Sequence, residues 1–505
     1  MIKLVAAAAL GAAVTLAAGP AYAQKSRDTL RWASEKVIPV VDPYYTALRE
    51  MNVITAQLVW DTLIYRDPKT GEYKPLLAER WRWVDDVTLE FDLRRDVKFH
   101  DGVSFNADDV VYTVNYVVDP ESKIHVPSNF DWMKSAERLD DFKVRIHLKQ
   151  PFAPALEYLS NTLEILPKDF YGTTKAAGAN GRLVGTGPYR ITKWEPGKTV
   201  ELTRYQNHIK DSPKGQPAIG NIHYKMIPEP TARIAELLAG SVDWIWYVAP
   251  DQGAKLAQMK HLTVVPEVTM RVAYLAFETT GRAQKNPFQD VRVRRAAWHA
   301  INRESLARDL VGPGSELVPS ACYKSQFGCL QDTPQYEYSP EKARQLLAEA
   351  GYPNGFDIDY IGYSYRRETE AVMGDLIKSG IRAKLTFLNY ATARERWQKG
   401  LAPVFFGGWG SYSINDVSAL LNTHLMDTAD DNAKDPDLHK WLKEAAGSTN
   451  PARRQELYAQ ALRRINEQAY WVPLYAVPIT YAYTSDLVVP AWPDENPRFF
   501  LARWK

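Results

Sequence analysis

The chain has 505 residues, 24% of them charged, and its 62 Lys and Arg against 60 Asp and Glu leave a net charge of +2. That length is too great for a single hydrophobic core and calls for two or three domains. The near-balance of charge provides no basic footprint, which excludes nucleic acid and anionic lipid as main partners.

At the N-terminus Lys3 precedes an apolar run from Leu4 to Ala18, broken by Gly19 and Pro20 ahead of the small-x-small triplet Ala21-Tyr22-Ala23. This pattern predicts a secretory signal peptide over residues 1–23, cleaved before Gln24. The run is shorter than the roughly 20 apolar residues that span a bilayer. With neither a cysteine at the cleavage site nor a twin arginine, the mature chain is expected as a free protein of a Gram-negative periplasm.

Further along, Thr88 to Phe91 alternates and continues through Leu93, Val97 and Phe99 as a strand that enters the turn His100-Asp101-Gly102. Asn106 caps a helix with Asp109 at its third position and Val110, Val114 and Val117 on its apolar face, until Pro120 stops it. Gly197-Lys198-Thr199 has the ending of a phosphate loop, but Thr192 stands where the first glycine is required, so the segment reads as a turn between strands. Strands are predicted at Val200 to Thr203, Val272 to Phe277, Phe356 to Ile361, Ala383 to Phe387 and Val404 to Phe406. One helix opens at Ser339 and Pro340 and closes at Gly351, with Leu346, Leu347 and Ala350 buried. Another runs from Asn450 and Pro451 through Leu457, Ala461 and Ile465. Alternating strands and helices predict mixed α/β domains.

The chain's two cysteines, Cys322 and Cys329, are expected to form one local disulfide in an exported protein. None of the nine histidines pairs with another at metal-ligand spacing, so no local metal site and no cofactor is expected. There is no G-x-S-x-G, no H-E-x-x-H and no complete Walker sequence, which argues against a secreted hydrolase.

Several segments carry a family signature: Pro75-Leu-Leu-Ala-Glu-Arg-Trp81, Thr88-Leu-Glu-Phe-Asp-Leu-Arg94, Val97-Lys-Phe-His-Asp-Gly102 and Phe105-Asn-Ala-Asp-Asp-Val110. In the same order follow Gly185-Thr-Gly-Pro-Tyr-Arg190, Asp290-Val-Arg-Val-Arg-Arg-Ala296, Ala300-Ile-Asn-Arg-Glu304, Ser339-Pro-Glu-Lys-Ala343 and the turn Gly408-Trp409-Gly410. Together they resemble the peptide/nickel-type (family 5) substrate-binding proteins of ABC transporters, of the dipeptide- and oligopeptide-binding kind. The resemblance implies an α/β, two-lobed periplasmic-binding-protein fold (type II, the large family-5 form), hinged and with an extra subdomain in the first lobe. On this sequence the first lobe falls at residues 24–63, 186–270 and 479–505, the inserted subdomain at 64–185 and the second lobe at 271–478. The implied role is capture of a small-molecule or peptide ligand between the lobes by a monomer that performs no chemistry and delivers it to ABC permease subunits.

In peptide-binding relatives the Gly-Trp turn precedes acidic residues, one of which holds the ligand's amino group. Here Tyr412 stands at the first such position and Asp416 lies near the second. A cation for an anionic ligand group is sought at Tyr365-Arg366-Arg367, after a predicted strand, because a guanidinium matches a carboxylate well. Trp409, Tyr412, Tyr274, Trp244 and Trp246 are the candidates for aromatic walls. A peptide or peptide-like solute leads. An anionic non-peptide solute, such as an opine-like conjugate, oligosaccharide or metal chelate, is the alternative that Tyr412 and the arginine pair favour.

Overall fold

The computed structural model describes residues 28–46, 48–173, 182–283 and 286–505. The expected signal peptide, 1–23, lies outside them. Among the described residues no helix is long and apolar enough to cross a membrane.

The frame is an 11-stranded mixed sheet. Across it lie, in order, Ile381–Phe387, Phe356–Gly362, Val404–Trp409, Leu262–Phe277, Trp471–Thr484, Trp244–Ile245, Thr29–Ser34, Asn221–Met226, Thr199–Arg204 and Tyr189–Glu195. Glu316–Leu317 pairs separately with Trp471–Thr484. The long strands Leu262–Phe277 and Trp471–Thr484 run antiparallel through the whole molecule. Their pairing holds from Leu262 opposite Thr484 to Val268 opposite Pro478, shifts, and resumes with Val272 opposite Ala476. Pro478 has no N–H to donate where the ladder first shifts, and a second, smaller shift falls between Ala273 and Tyr274, which faces Pro473.

The hydrophobic residues on the two sides of that shift enter different cores. Trp32, Trp244, Ile479 and Tyr481 belong to one, and Ala273, Leu275, Val472 and Leu474 to another. A third cluster, around Tyr274, Trp471 and Leu457, packs on the other face of the second lobe. Two lobes thus share one sheet through two continuous strands.

On the first lobe stands a separate four-stranded antiparallel sheet, in the order Ala78–Asp85, Thr88–Leu93, Lys143–Leu148 and Met133–Asp140. Leu89 and Phe91 are fully buried in it. Helix Ala107–Val118 covers this sheet and carries a reciprocal cap: the Asn106 side chain accepts from the Asp108 N–H at 2.8 Å, and Asp109 accepts from the Asn106 N–H at 2.9 Å. Helix Pro340–Glu349 buries Ala343 and Leu347. Leu346 and Ala350, expected on its buried stripe, are only half-buried.

Cys322 and Cys329 form the disulfide, with a Cα–Cα distance of 5.7 Å. The loop it closes is docked on residues 411–417: the Phe327 N–H donates to the Asn415 carbonyl at 2.9 Å, and Gln326 Nε2 donates to Ser411 Oγ at 3.1 Å. The Cys322→Ala/Cys329→Ala double variant is therefore expected to lose about 2 to 3 kcal/mol in urea unfolding. It is also expected to speed hydrogen exchange at residues 411–417.

Candidate functional site

The shift in the central ladder releases Thr269, Met270 and Arg271 from strand pairing. Thr269 Oγ1 donates to the Val477 carbonyl at 2.6 Å and accepts from the Arg271 N–H at 3.1 Å, while the Met270 N–H donates to the Pro493 carbonyl at 2.8 Å. A local break of this kind re-aims a side chain, and here it turns Arg271 toward Glu495 in the segment that returns to the first lobe. Arg271 Nε and Nη2 donate to the Glu495 carboxylate at 3.1 and 3.0 Å. Arg49, beside the first lobe's core, reaches the same carboxylate at 3.2 Å and also donates to Ser413 Oγ of the second lobe. Two guanidiniums thus share one carboxylate.

Burial alone would raise the Glu495 pKa, but Arg271 and Arg49 outweigh it and hold the carboxyl below the usual range. Arg271 keeps 28% of its side chain exposed, whereas Glu495 keeps 3%. The free face of the cluster therefore presents cation rather than carboxylate.

The walls around it are phenolic. Burial, then the charge of Glu495, push the Tyr247 hydroxyl well above its ordinary pKa, with Arg49 and Arg271 opposing. Burial likewise raises that of Tyr365, again opposed by Arg271. The Tyr365 ring lies across Gly408, where a Cβ would come within 2.7 Å of Tyr365 Cε2. At Gly410 a Cβ would stand 2.9 Å from Arg271 Nη2, so the Gly-Trp-Gly turn forms the bed on which tyrosine and arginine rest. Of the ten non-glycine residues with left-handed φ among those described, five gather here: Tyr247, Tyr365, Ser411, Ser413 and Glu495. Such conformations are unfavourable and cluster where structure is held for function.

Contacts between the lobes close around this cluster. Ser413 Oγ donates to the Asp494 carbonyl at 2.6 Å, the Asn415 N–H to Glu157 Oε1 at 2.8 Å, and the Ala153 N–H to the Ala446 carbonyl at 3.0 Å.

Of the residues singled out in the sequence, Tyr365 stands at this cleft, whereas half-buried Trp409 points to the other face of its strand and packs edge-on against His424 at 5.3 Å, beside the core around Tyr274 and Trp471. The Tyr412 side chain lies outside what the structure describes. Trp244 and Trp246, 2% and 0% exposed, are core: their rings are 5.4 Å apart, and Trp246 Nε1 donates to Ser34 Oγ at 2.5 Å. Tyr274 is core as well, stacked on Trp471 at 3.8 Å. Arg366 pairs with Glu370 at 3.2 Å and lies over the Phe387 ring beside the edge strand Ile381–Phe387, and Arg367 is exposed. Neither arginine joins the cluster. Asp416 accepts from the Ser418 N–H at 2.9 Å and from Arg454 Nη2 at 2.7 Å, so its charge is neutralised within its own lobe.

Arg49, Arg271, Glu495 and Tyr247 escaped sequence reasoning. Arg271 alone left a trace there, as a cation inside the apolar run Met270-Arg271-Val272-Ala273-Tyr274.

The family model for bacterial extracellular solute-binding proteins, family 5 Middle, matches residues 72–432. This chain belongs to that family. It is 28% identical over 455 residues to Heme-binding protein A of Haemophilus influenzae, covering 83% of this chain and 82% of that protein. To the glutathione-binding protein GsiB of Salmonella choleraesuis it is 28% identical over 506 residues, covering 95% and 94%. The structure of HbpA2 from Haemophilus parasuis superposes with a TM-score of 0.80 at 25% identity, covering 94% of this chain and all of that one. As a family 5 substrate-binding protein of ABC transporters the chain is a solute-binding protein and not an enzyme.

Two predictions follow from the site's ion pairs. Asp416→Asn leaves Arg454 buried without a counter-charge and is expected to cost about 3 kcal/mol or more in urea unfolding. Asp416→Asn/Arg454→Met should recover part of that loss. For Glu495, a folded pKa below the unfolded one means its stabilisation is present above the ordinary glutamate value of about 4.3 and is lost as pH falls through the folded value. The urea midpoint should accordingly drop below about pH 4, with a shallower slope in Glu495→Gln.

Proposed function

We propose that this family 5 protein is the periplasmic receptor of an ABC importer and captures a peptide or peptide-like solute that bears a carboxylate. Arg271 and Arg49 are its anion partners, and the solute sits against Tyr365 and Tyr247. The observation that carries this reading is the sharing of Glu495 by two guanidiniums, which leaves one positive charge uncompensated in a cleft partly shielded from water. Glutathione, in the name of one relative, is a peptide with carboxylates, which agrees.

The hinge in this reading is the ladder shift between Val268 and Val272. Closure is driven by contacts to the solute that exist only when the lobes meet, and the closed form is what the permease receives. The expected lobe boundaries at 270/271 and 478/479 stand as part of this proposal.

A second reading, an anionic non-peptide solute, is favoured by the engagement of Asp416 with Arg454. That pair removes the acid that a peptide amino group would meet in the second lobe.

A thermal-shift panel of di- and tripeptides, their C-terminal amides and non-peptide carboxylates tests both readings. A bound solute at 100-fold its Kd should add about 2.7 kcal/mol. Free acids should bind at least about tenfold more tightly than the amides, and Arg271→Met should abolish that preference. Amides that match their acids would refute the arginine assignment. Shifts by non-peptide carboxylates alone would select the second reading.

A further inference from the structure

Beside the cleft the first lobe contains a pocket of about 100 Å³ of which the reading above uses Arg49 alone. Tyr44, Met51 and Phe130 give it apolar walls, Arg49 borders it on the side of the cleft, and Glu164 lines it. Glu164 is 3% exposed, in the buried segment Leu163-Glu164-Ile165-Leu166 that follows helix Ala155–Asn161. Its backbone is tied down, since the Tyr44 hydroxyl donates to its carbonyl at 2.6 Å and the Ile165 N–H to the Asp61 carbonyl at 2.9 Å. Its carboxyl is not. Among the described residues the side chain receives one long hydrogen bond, from Thr55 Oγ1 at 3.4 Å, and no ion pair.

The cations nearby are already committed. Lys214 forms an ion pair with Asp61 at 2.8 Å and donates to the Ala56, Gln57 and Trp60 carbonyls at 3.0 to 3.4 Å. Arg49 is held by Glu495 and Ser413. On the opposite side lies a second buried acid, Asp42, which accepts from the Tyr171 hydroxyl at 2.7 Å. Burial pushes the Glu164 pKa up to about 8, with Asp42 adding to the rise and its own backbone N–H, Thr55 and Lys214 opposing it. A buried carboxyl without an ion pair, at the edge of a pocket lined by apolar and polar side chains alike, gains from a group that completes it.

We propose that this pocket is a subsite for a cationic aminoalkyl group of the solute, its ammonium set against the Glu164 carboxylate and its alkyl chain along Tyr44, Met51 and Phe130. The proposal rests on the cleft being the solute site, and it supplies the acid that Asp416 does not. A solute with a carboxylate at Arg271 and an amine at Glu164 spans both features, with Arg49 between them.

Saturation-transfer NMR titrations of the whole mature chain with n-butylammonium and 1-butanol test the subsite apart from the arginine reading. The ammonium should bind at least about tenfold more tightly than the alcohol, because a charge-assisted contact to a buried acid outweighs a neutral one. Glu164→Gln, isosteric with the protonated acid, should reduce ammonium affinity about tenfold and leave the alcohol unchanged. Leu48→Trp, at a half-buried position of the pocket lining, should exclude both. Butylammonium carries no carboxylate, so its binding reports on Glu164 apart from Arg271, and failure of the carboxylate reading and failure of this one are separable. Equal binding of alcohol and ammonium, or full ammonium affinity in Glu164→Gln, would overturn the subsite.

Discussion

The antiparallel pairing of Leu262–Phe277 with Trp471–Thr484 is the constraint from which the rest of the molecule follows. It is the only direct strand pairing that runs through both lobes among the described residues, and its register shifts twice, first and more widely between Val268 and Val272 and again between Ala273 and Tyr274. Where Val268 faces Pro478 a donor is missing, and over the next residues the backbone finds partners outside the ladder. One local defect therefore does two things. It separates the cores of the two lobes, and it sends Arg271 out of the sheet toward Glu495.

Around that arginine the site is built by mutual restraint rather than by one motif. Gly408 and Gly410 allow Tyr365 and Arg271 to lie directly on the strand end, while left-handed residues at 365, 411, 413 and 495 fix the loops that meet there. The disulfide loop supports the 411–417 segment from behind through Gln326 and Phe327. Glu495 holds two cations that would otherwise repel each other, and in the proposed reading the positive charge left over suits the site to an anion. On the first lobe the imbalance is reversed at Glu164, a buried acid whose neighbour Lys214 is paired with Asp61.

Scaffold and specificity also differ in how far they could be read in advance. The cap at Asn106 and Asp109, the buried Val110 and Val114, and the turn at Gly197 are local, and each stands where its residues alone require. Trp244 and Trp246 misled because a tryptophan suited to a recognition wall is equally suited to a core, and periodicity does not distinguish the two. Arg366 and Arg367 lie apart from the Arg271 cluster, since a guanidinium beside a strand end has no direction until the neighbouring strand, helix and Glu370 are in place. The partner of Asp416 was not legible, because Arg454 lies on a helix 38 positions along the chain.

By itself the sequence determined the family, the mixed α/β class, the pairing of Cys322 with Cys329 and the helix boundaries set by Asn106, Ser339 and Asn450, because each depends on neighbours within a few positions or on motifs in order. Only the tertiary structure decided which charges face the cleft. Arg49, Arg271 and Glu495 are separated by hundreds of positions and meet because a shared sheet folds the chain's two ends back onto each other. Whether an ionisable side chain binds a solute or stabilises the fold depends on whether a counter-charge reaches it, and that is a property of packing in space.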